Sequence, residues 1–373
     1  MKKIIKKIIK EVVSSITRKK QRDNIAKLLD NLKSKGFYKK YPLEHYPPAI
    51  TNYSFYRKSD LKWLDFYFSV NEKADQNYIS VPIYYFIETS LNHQMLIYGV
   101  KEKNFYNKFL PDIPTPKTLF RRINGFYYDT YYQKIDLNEL THSLKAHGKL
   151  ILKPSIESGS GSSIQIFEQT DGLLLNNKNV LNAEFLNNYH KNFLIQEFIT
   201  QHDFFSQFNP TSNNTVRVFL YRSIRDDSVN ILHCLLRVGA PGSYLDHDHL
   251  GGVVLAIDDR NMISQHAFDM YGNKYKIVND INVSLLGQVP AMDKIRKLSI
   301  DIANSIYYGR ILALDFTVTN EGNPLFLEIN CWRNGINQYQ MHNGSLFKEF
   351  TLEILEHCNT DPTKLYIVQI PRY

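Results

Sequence analysis

The sequence predicts an α+β fold built on antiparallel sheets, and three observations carry that reading. After residue 116 the β-type runs at 150–154, 163–167, 193–199, 215–222, 229–238, 252–257, 311–318 and 324–329 outnumber the helical stretches at 136–147, 179–190, 291–307 and 345–357. Their spacings are those of hairpins rather than of strand–helix–strand crossovers. The chain has 373 residues, 43% hydrophobic and 22% charged, enough to bury a large core in one domain or two intimate ones.

The ends of the chain differ from its middle. Residues 1–40 hold 14 Lys/Arg against 3 Asp/Glu, a balance of +11 in a chain whose total is +8, so the other 333 residues carry −3. The high isoelectric point therefore belongs to one segment, and nucleic acid is not an expected partner. In that segment Ile4, Ile5, Ile8, Ile9, Val12, Val13 and Ile16 recur at helical spacing among lysines, which describes a basic amphipathic helix. Such a helix either lies on the body of the protein or docks residues 1–20 on an anionic membrane surface. It is too polar for a secretory signal, and nowhere does a run of about 18 apolar residues suggest a membrane span. Cys234, Cys331 and Cys358 are widely separated and show no Cys-x-x-Cys spacing, which argues against disulfides and zinc and fits a cytoplasmic protein.

Residues 41–115 read as mainly helical, from the apolar periodicity at 59–71 and 82–92. Pro111, Pro114 and Pro116 then interrupt any helix and mark a linker. The expected units are 1–40, 41–115, 116–200 and 201–373.

Two constellations carry chemistry. Lys153 ends a strand and is followed by Ser158, Gly159, Ser160, Gly161 and Ser162, a loop whose unhindered N–H groups can close over phosphate oxygens. It joins two strands rather than opening a helix, so it is neither a Walker loop nor a dinucleotide fingerprint, and by itself it reads more readily as a flexible turn. The second lies at 312–330. A two-residue turn centred on Glu321 and Gly322 would set Asp315 opposite Glu328, with Asn330 on the same face about 7 Å along. Two carboxylates about 5 Å apart on apolar strands invite a hard divalent cation with oxygen ligands. The alternative is a solvated polar sheet face. Between the two, the strand at Phe193–Ile199 turns polar at Gln196 and Glu197, and its edge, with Phe198 and Ile199, could pair an adenine. Asp203 either takes ribose hydroxyls or caps the next segment.

In this order, the lysine strand with its Gly/Ser loop, the Gln-Glu-Phe-Ile hinge, and Asp with Glu-x-Asn on a late hairpin resemble the ATP-grasp superfamily. Lys103-Asn104, Ile123-Asn-Gly125, Asn214-Thr-Val-Arg217, Arg237-Val-Gly239, Gly251-Gly252 and Asn343-Gly-Ser-Leu-Phe347 are similar, more narrowly, to the sugar-transfer-associated ATP-grasp proteins of polysaccharide gene clusters. The resemblance spans about residues 55–350. It implies an ATP-grasp small subdomain at 116–200 and a large one at 201–373, with ATP and Mg2+, two ions, as cofactors. Lys103, Lys153 and Ser158–Ser162 would then meet the triphosphate, Gln196–Ile199 the adenine and Asp203 the ribose, where many relatives have glutamate. Asp315, Glu328 and Asn330 would hold the metal.

The activity so implied is a carboxylate–amine ligase working through an acyl phosphate, acting on a free, nucleotide-linked or lipid-linked sugar acid for a surface polysaccharide. Arg217, Arg237 and Arg333 are candidates for holding the transferring phosphoryl group or a substrate carboxylate, since the guanidinium donates two parallel bonds, unless they form surface salt bridges. Asp246-His247-Asp248-His249 suggests either a nucleotide-sugar transferase with an Asp-x-Asp metal site, a substrate-facing loop with a histidine base, or a solvated turn. A third class is a catalytically silent ATP-binding module held on a membrane assembly by the basic helix.

Overall fold

A computed structural model describes residues 2–42, 60–156, 163–176, 178–246 and 250–359. The helical N-terminal part comprises α1 (Lys2–Ser34), α2 (Leu61–Asn71) and α3 (Val81–Leu91). Strands β1 (Thr118–Ile123) and β2 (Phe126–Tyr128) follow the Pro-rich linker, then α4 (Leu137–Leu144), β3 (Lys149–Pro154), β4 (Gln165–Thr170), β5 (Leu173–Leu175), α5 (Ala183–Asn188) and β6 (Phe193–Glu197). The remainder holds β7 (Thr215–Arg222), β8 (Val229–Val238), β9 (Val253–Ile257), β10 (Ala267–Phe268), β11 (Lys274–Tyr275), a small ribbon of β12 (Ile277–Val278) and β13 (Ile281–Asn282), α6 (Met292–Asn304), β14 (Ile311–Val318), β15 (Pro324–Asn330), α7 (Asn337–Asn343) and α8 (Thr351–Asn359).

Two antiparallel sheets result. The six-stranded one runs β2-β1-β6-β3-β4-β5 and the seven-stranded one β11-β10-β9-β8-β7-β14-β15. All eight residues of β14 are buried, as a strand covered on both faces requires, and this is why 311–318 reads as an apolar run interrupted only at Asp315 and Thr317. On one face Phe219, Leu235 and Ala313 join Trp63, Tyr84, Tyr339 and Ile354 in a core roofed by α2, α3, α7 and α8. On the other, Val218, Leu236 and Leu314 meet Ile295 and Ile302 of α6. The small sheet has its own core with Leu140 of α4 and Leu186 of α5.

β1 and α7 are not anticipated by pattern. Thr118-Leu-Phe-Arg-Arg-Ile looks amphipathic, yet Arg121 is buried, its guanidinium held by Asn107, by the carbonyls of Asp129 and Thr130, and by the ring of Tyr132. In α7 the side chains of Gln338 and Gln340 are buried along with Tyr339 and Met341, so polarity hides the buried face. The amphipathic periodicity at 4–16 lies within α1, which continues to Ser34, and Ile25, Leu28, Leu29 and Leu32 join the core with α2.

The helical part is stitched to the large sheet by buried hydrogen bonds. Asn92, just past α3, donates from Nδ2 to the carbonyls of Ile311 and Cys331, both at 2.8 Å, and its Oδ1 accepts from the N–H groups of Arg310 and Ile311, both at 2.9 Å. Asn92→Leu would orphan all four backbone groups. It should lower the unfolding free energy by about 3 kcal/mol, read as a shifted urea midpoint at unchanged slope.

Candidate functional site

The site lies on the face of the large sheet roofed by α2, α3, α7 and α8, at its β14–β15 edge. Asp315 stands opposite Glu328 on β15 and opposite Arg217 on β7, so three charged residues form a row across the strands. Asn330 is two residues beyond Glu328 on the same face, and Arg237 on β8 pairs with Thr215 beside Arg217.

The expected Asp315–Glu328 register is present, but the expected turn is not. The connection is a three-residue loop, Asn320–Gly322, closed by Thr319 N–H to Asn323 O and Gly322 N–H to Thr319 O, both at 2.9 Å, with Gly322 at φ +78°. A left-handed glycine closes loops of this length. It shifts the pairing by one residue, so that Val318 faces Pro324. A bulge at Leu327, between the Phe316–Phe326 and Asp315–Glu328 pairs, shifts it back.

Asp315 is buried and needs its charge matched. Arg217 Nε and Nη2 donate to its two oxygens at 2.6 Å each, Asn330 Nδ2 donates at 3.1 Å, and Arg237 Nη1 lies 3.6 Å away. Burial pushes the Asp315 carboxyl up while the two arginines pull it down. The geometry decides for the ionised form, because both oxygens accept and an added proton would face a donor. Arg217 is held charged by the same pair against its own burial. Arg237 also reaches the Asp246 carboxylate at 3.4 Å, and Asp246 accepts from the Thr215 N–H and hydroxyl. Asp246 thus belongs to this arginine network, which reading the Asp-x-Asp pair as a free metal motif misses. His247, Asp248 and His249 lie outside the described residues.

The turn before the linker and the small sheet each contribute a cation. Lys103, in a helical turn before the linker, donates its N–H to Ser155 O at 3.0 Å, and its ammonium pairs with Glu328 at 2.9 Å. Lys153 on β3 is buried. Burial and the neighbouring Lys103 charge push its pKa down to about 7, with Glu328 pulling the other way. Although burial raises it, Lys103, Arg217 and Lys153 hold the Glu328 carboxyl well below its ordinary range. Lys103, Lys153, Arg217, Arg237, Asp315, Glu328 and Asn330 therefore form one cluster.

The other candidates are placed separately. Ser158, Gly159, Ser160, Gly161 and Ser162 lie outside the described residues. On β6, Glu197 pairs with Leu150 and Leu194 with Lys153, so the hinge lies about 10 Å along the strands from the lysine. Gln196 Nε2 donates to Thr118 Oγ at 2.9 Å and Pro116 O at 3.2 Å, fastening the linker's end. Glu197 accepts from Lys117 at 2.7 Å, and the Phe198 N–H bonds Lys149 O, with both Phe198 and Ile199 half-buried. Asp203 is exposed, and the cap of its short helix is His202, whose Nδ1 accepts from Phe204 N–H. Arg333 is exposed in the loop after Asn330.

The donor set suits Mg2+: two carboxylates and, with Nδ2 given to Asp315, the amide Oδ1 of Asn330, all hard oxygens. Among the described residues no group of three His, Cys, Asp or Glu could hold a metal. A cation here would depend on the amide oxygen and on ligand phosphates, as Mg2+ commonly does.

Two antiparallel sheets, with Lys153 of the smaller and Lys103 before the linker gathered beside a carboxylate, carboxylate and amide set on the larger, define an ATP-grasp protein. A model of the sugar-transfer-associated ATP-grasp family matches residues 86–354, and the chain belongs to that family. Among curated proteins none matches. Among solved structures it is similar to the ATP-grasp ligase PsnB complexed with precursor peptide PsnA2 and AMPPNP, at 16% identity and TM-score 0.41, covering 72% of this chain and 62% of that one. It is also similar to D-alanyl-alanine synthetase A from Vibrio cholerae, at 13% identity and TM-score 0.39, over 70% and 65% of the two chains. Similarity to N5-carboxyaminoimidazole ribonucleotide synthetase from Thermotoga maritima is 11% identity and TM-score 0.35, over 65% and 44%. The chain thus spans less than two thirds of the length of these structures.

Lys153 supplies a pH test. Its folded pKa of about 7 lies below the ordinary 10.5, so between these values the unfolded chain binds more protons and stability rises with pH. Below about pH 7 the cost of the buried charge is fully present. The advantage of Lys153→Met over the native chain in urea unfolding should therefore shrink as pH is raised from 7 towards 10, and a constant difference would contradict it.

Proposed function

We propose that the protein is an ATP- and Mg2+-dependent carboxylate–amine ligase that activates a sugar acid as an acyl phosphate during assembly of a surface polysaccharide. The observation that supports it best is the buried Lys153 ammonium next to Lys103, which is itself paired with Glu328. Two neighbouring ammonium groups with one carboxylate between them repel each other, and a polyphosphate relieves that repulsion.

Lys103 and Lys153 would neutralise the polyphosphate, with the loop at 158–162 closing over it and Gln196–Ile199 and Asp203 meeting the nucleoside. Asp315, Glu328 and Asn330 would hold Mg2+, which supplies Lewis-acid neutralisation of the phosphates. For that, Glu328 must exchange its contact with Lys103. A carboxylate oxygen of the substrate attacks the γ-phosphorus, the bond to the β-phosphate oxygen breaks and ADP leaves. An amine then attacks the acyl carbon and expels phosphate, losing its proton to solvent or a base. Positioning and electrostatics carry such a transfer, and no protein nucleophile is needed. Arg237, shared between Asp246 and Asp315, and the exposed Arg333 would hold the phosphoryl group and the substrate carboxylate.

The decisive assay is ADP release over a panel of uronic acids and amines. Glu328→Ala and Asn330→Ala should each lose about a hundredfold or more in Mg·ATP-dependent turnover while melting normally. Full activity in both would refute the metal assignment. No helix among the described residues is long and apolar enough to cross a membrane, and a peripheral contact through residues 1–20 is the second part of the proposal. Their deletion should weaken binding to anionic vesicles and leave ATP binding unchanged, whereas undiminished vesicle binding would retire that contact.

A further inference from the structure

Glu88 is a carboxylate with no exposed surface, inside a helix of otherwise apolar character. Its hydrogen bonds come from neutral groups. Oε2 accepts from Arg333 N–H at 2.6 Å, and Oε1 accepts from Tyr84 OH at 2.8 Å, Asn334 Nδ2 at 3.2 Å and Asn334 N–H at 3.3 Å. The two consecutive N–H groups flank Arg333, whose φ is +56°. Successive N–H groups around a left-handed residue form a concavity that takes an anion, and here the anion comes from α3, 245 residues earlier in the chain.

Two energetic features separate this from ordinary packing. A left-handed arginine costs about 1–2 kcal/mol that a glycine would not, and Gly335 stands only two residues away. No cation among the described residues pairs with Glu88, and burying a carboxylate without one costs more than burying a neutral acceptor such as Gln. Burial does push the Glu88 pKa up, and the hydrogen bonds hold it back. The loop so held begins where the candidate metal strand ends, and Asn334 Nδ2 also donates to Asn330 O at 3.3 Å.

We propose that Glu88 is a positioning residue: it fixes the loop after Asn330 with Arg333 in its left-handed conformation, so that the exposed guanidinium is set to bind the carboxylate of the substrate. The helical segment before the linker is on this view a working part of the site. The assignment of Arg333 to the substrate rests on the ligase reading, and the hold of Glu88 on the loop does not.

The test uses the full chain with Glu88→Gln, which keeps the shape but sets an amide donor against the loop's donors, and Tyr84→Phe, which removes one bond to the carboxylate. Trypsin cleavage after Arg333 and hydrogen exchange at the Arg333 and Asn334 amides should speed up about tenfold in Glu88→Gln and less in Tyr84→Phe, beyond any change that the shift in global unfolding midpoint accounts for. With an acid that drives ADP release, Glu88→Gln should raise the KM for that acid about tenfold and leave the KM for ATP unchanged. In an Arg333→Gly background, where the backbone conformation is free and the guanidinium gone, Glu88→Gln should add nothing to KM. Unchanged cleavage and exchange in both variants, or an equal further rise in KM in the Arg333→Gly background, would overturn the proposal. If no acid drives ADP release, the ligase reading and the role of Arg333 fall together, while cleavage and exchange still decide whether Glu88 fixes the loop. Should Glu88→Gln fail to fold, the same readouts on Tyr84→Phe decide.

Discussion

The site depends on one electrostatic constraint, the charge of Asp315 in a strand where every residue is buried. An unpaired carboxylate there would cost several kcal/mol. Arg217 meets it with two parallel bonds, Asn330 with a third, and Arg237 from further off. Because these partners come from β7, β8 and β15, the sheet must be assembled before the charge is satisfied. The pair therefore ties register to electrostatics: a slip of one residue in β7 would turn Arg217 to the other face and leave Asp315 alone. The same constraint gathers arginines beside a carboxylate pair, which is the chemistry a phosphoryl-transfer site requires.

The second dependence is on the helical segment before the linker. Besides Asn92 and Glu88, Ile79 exchanges two 2.8 Å bonds with the buried amide of Gln340, and Asp75 accepts from Ser345 N–H. These bonds fall on the chain between Arg310 and Ser345, around the strands that carry Asp315, Glu328 and Asn330. The polar interior of α7 is explained by them, since Gln340 is buried to satisfy a backbone turn rather than to line a cleft. The family model's match from residue 86 begins inside α3, two residues before Glu88.

Much of this was legible in the amino-acid sequence. The runs at 215–222, 229–238 and 311–318 coincide with β7, β8 and β14, because strands covered on both faces are dominated by apolar residues. The Asp315–Glu328 pair followed from the period of two along a strand, although two unforeseen features, a three-residue loop and a bulge, cancel to produce it. Glu88 left a signal too: it sits with Val81, Tyr84 and Leu91 on one helical stripe, where a charge is out of place. Arg121 and Gln340 left none, since a buried polar residue is legible only through its partners.

Periodicity and turn residues act over a few residues, so the sequence alone settled most element types outside β1 and α7, the antiparallel character and the convergence of Asp315, Glu328 and Asn330 on one hairpin. The tertiary structure decided which cations answer those carboxylates. Arg217 meets Asp315 across 98 residues, Lys103 meets Glu328 between the two sheets, and Asp246 is drawn to Arg237. A charge buried in a sheet is answered by whatever the neighbouring strand presents, and strand order is a property of the folded chain.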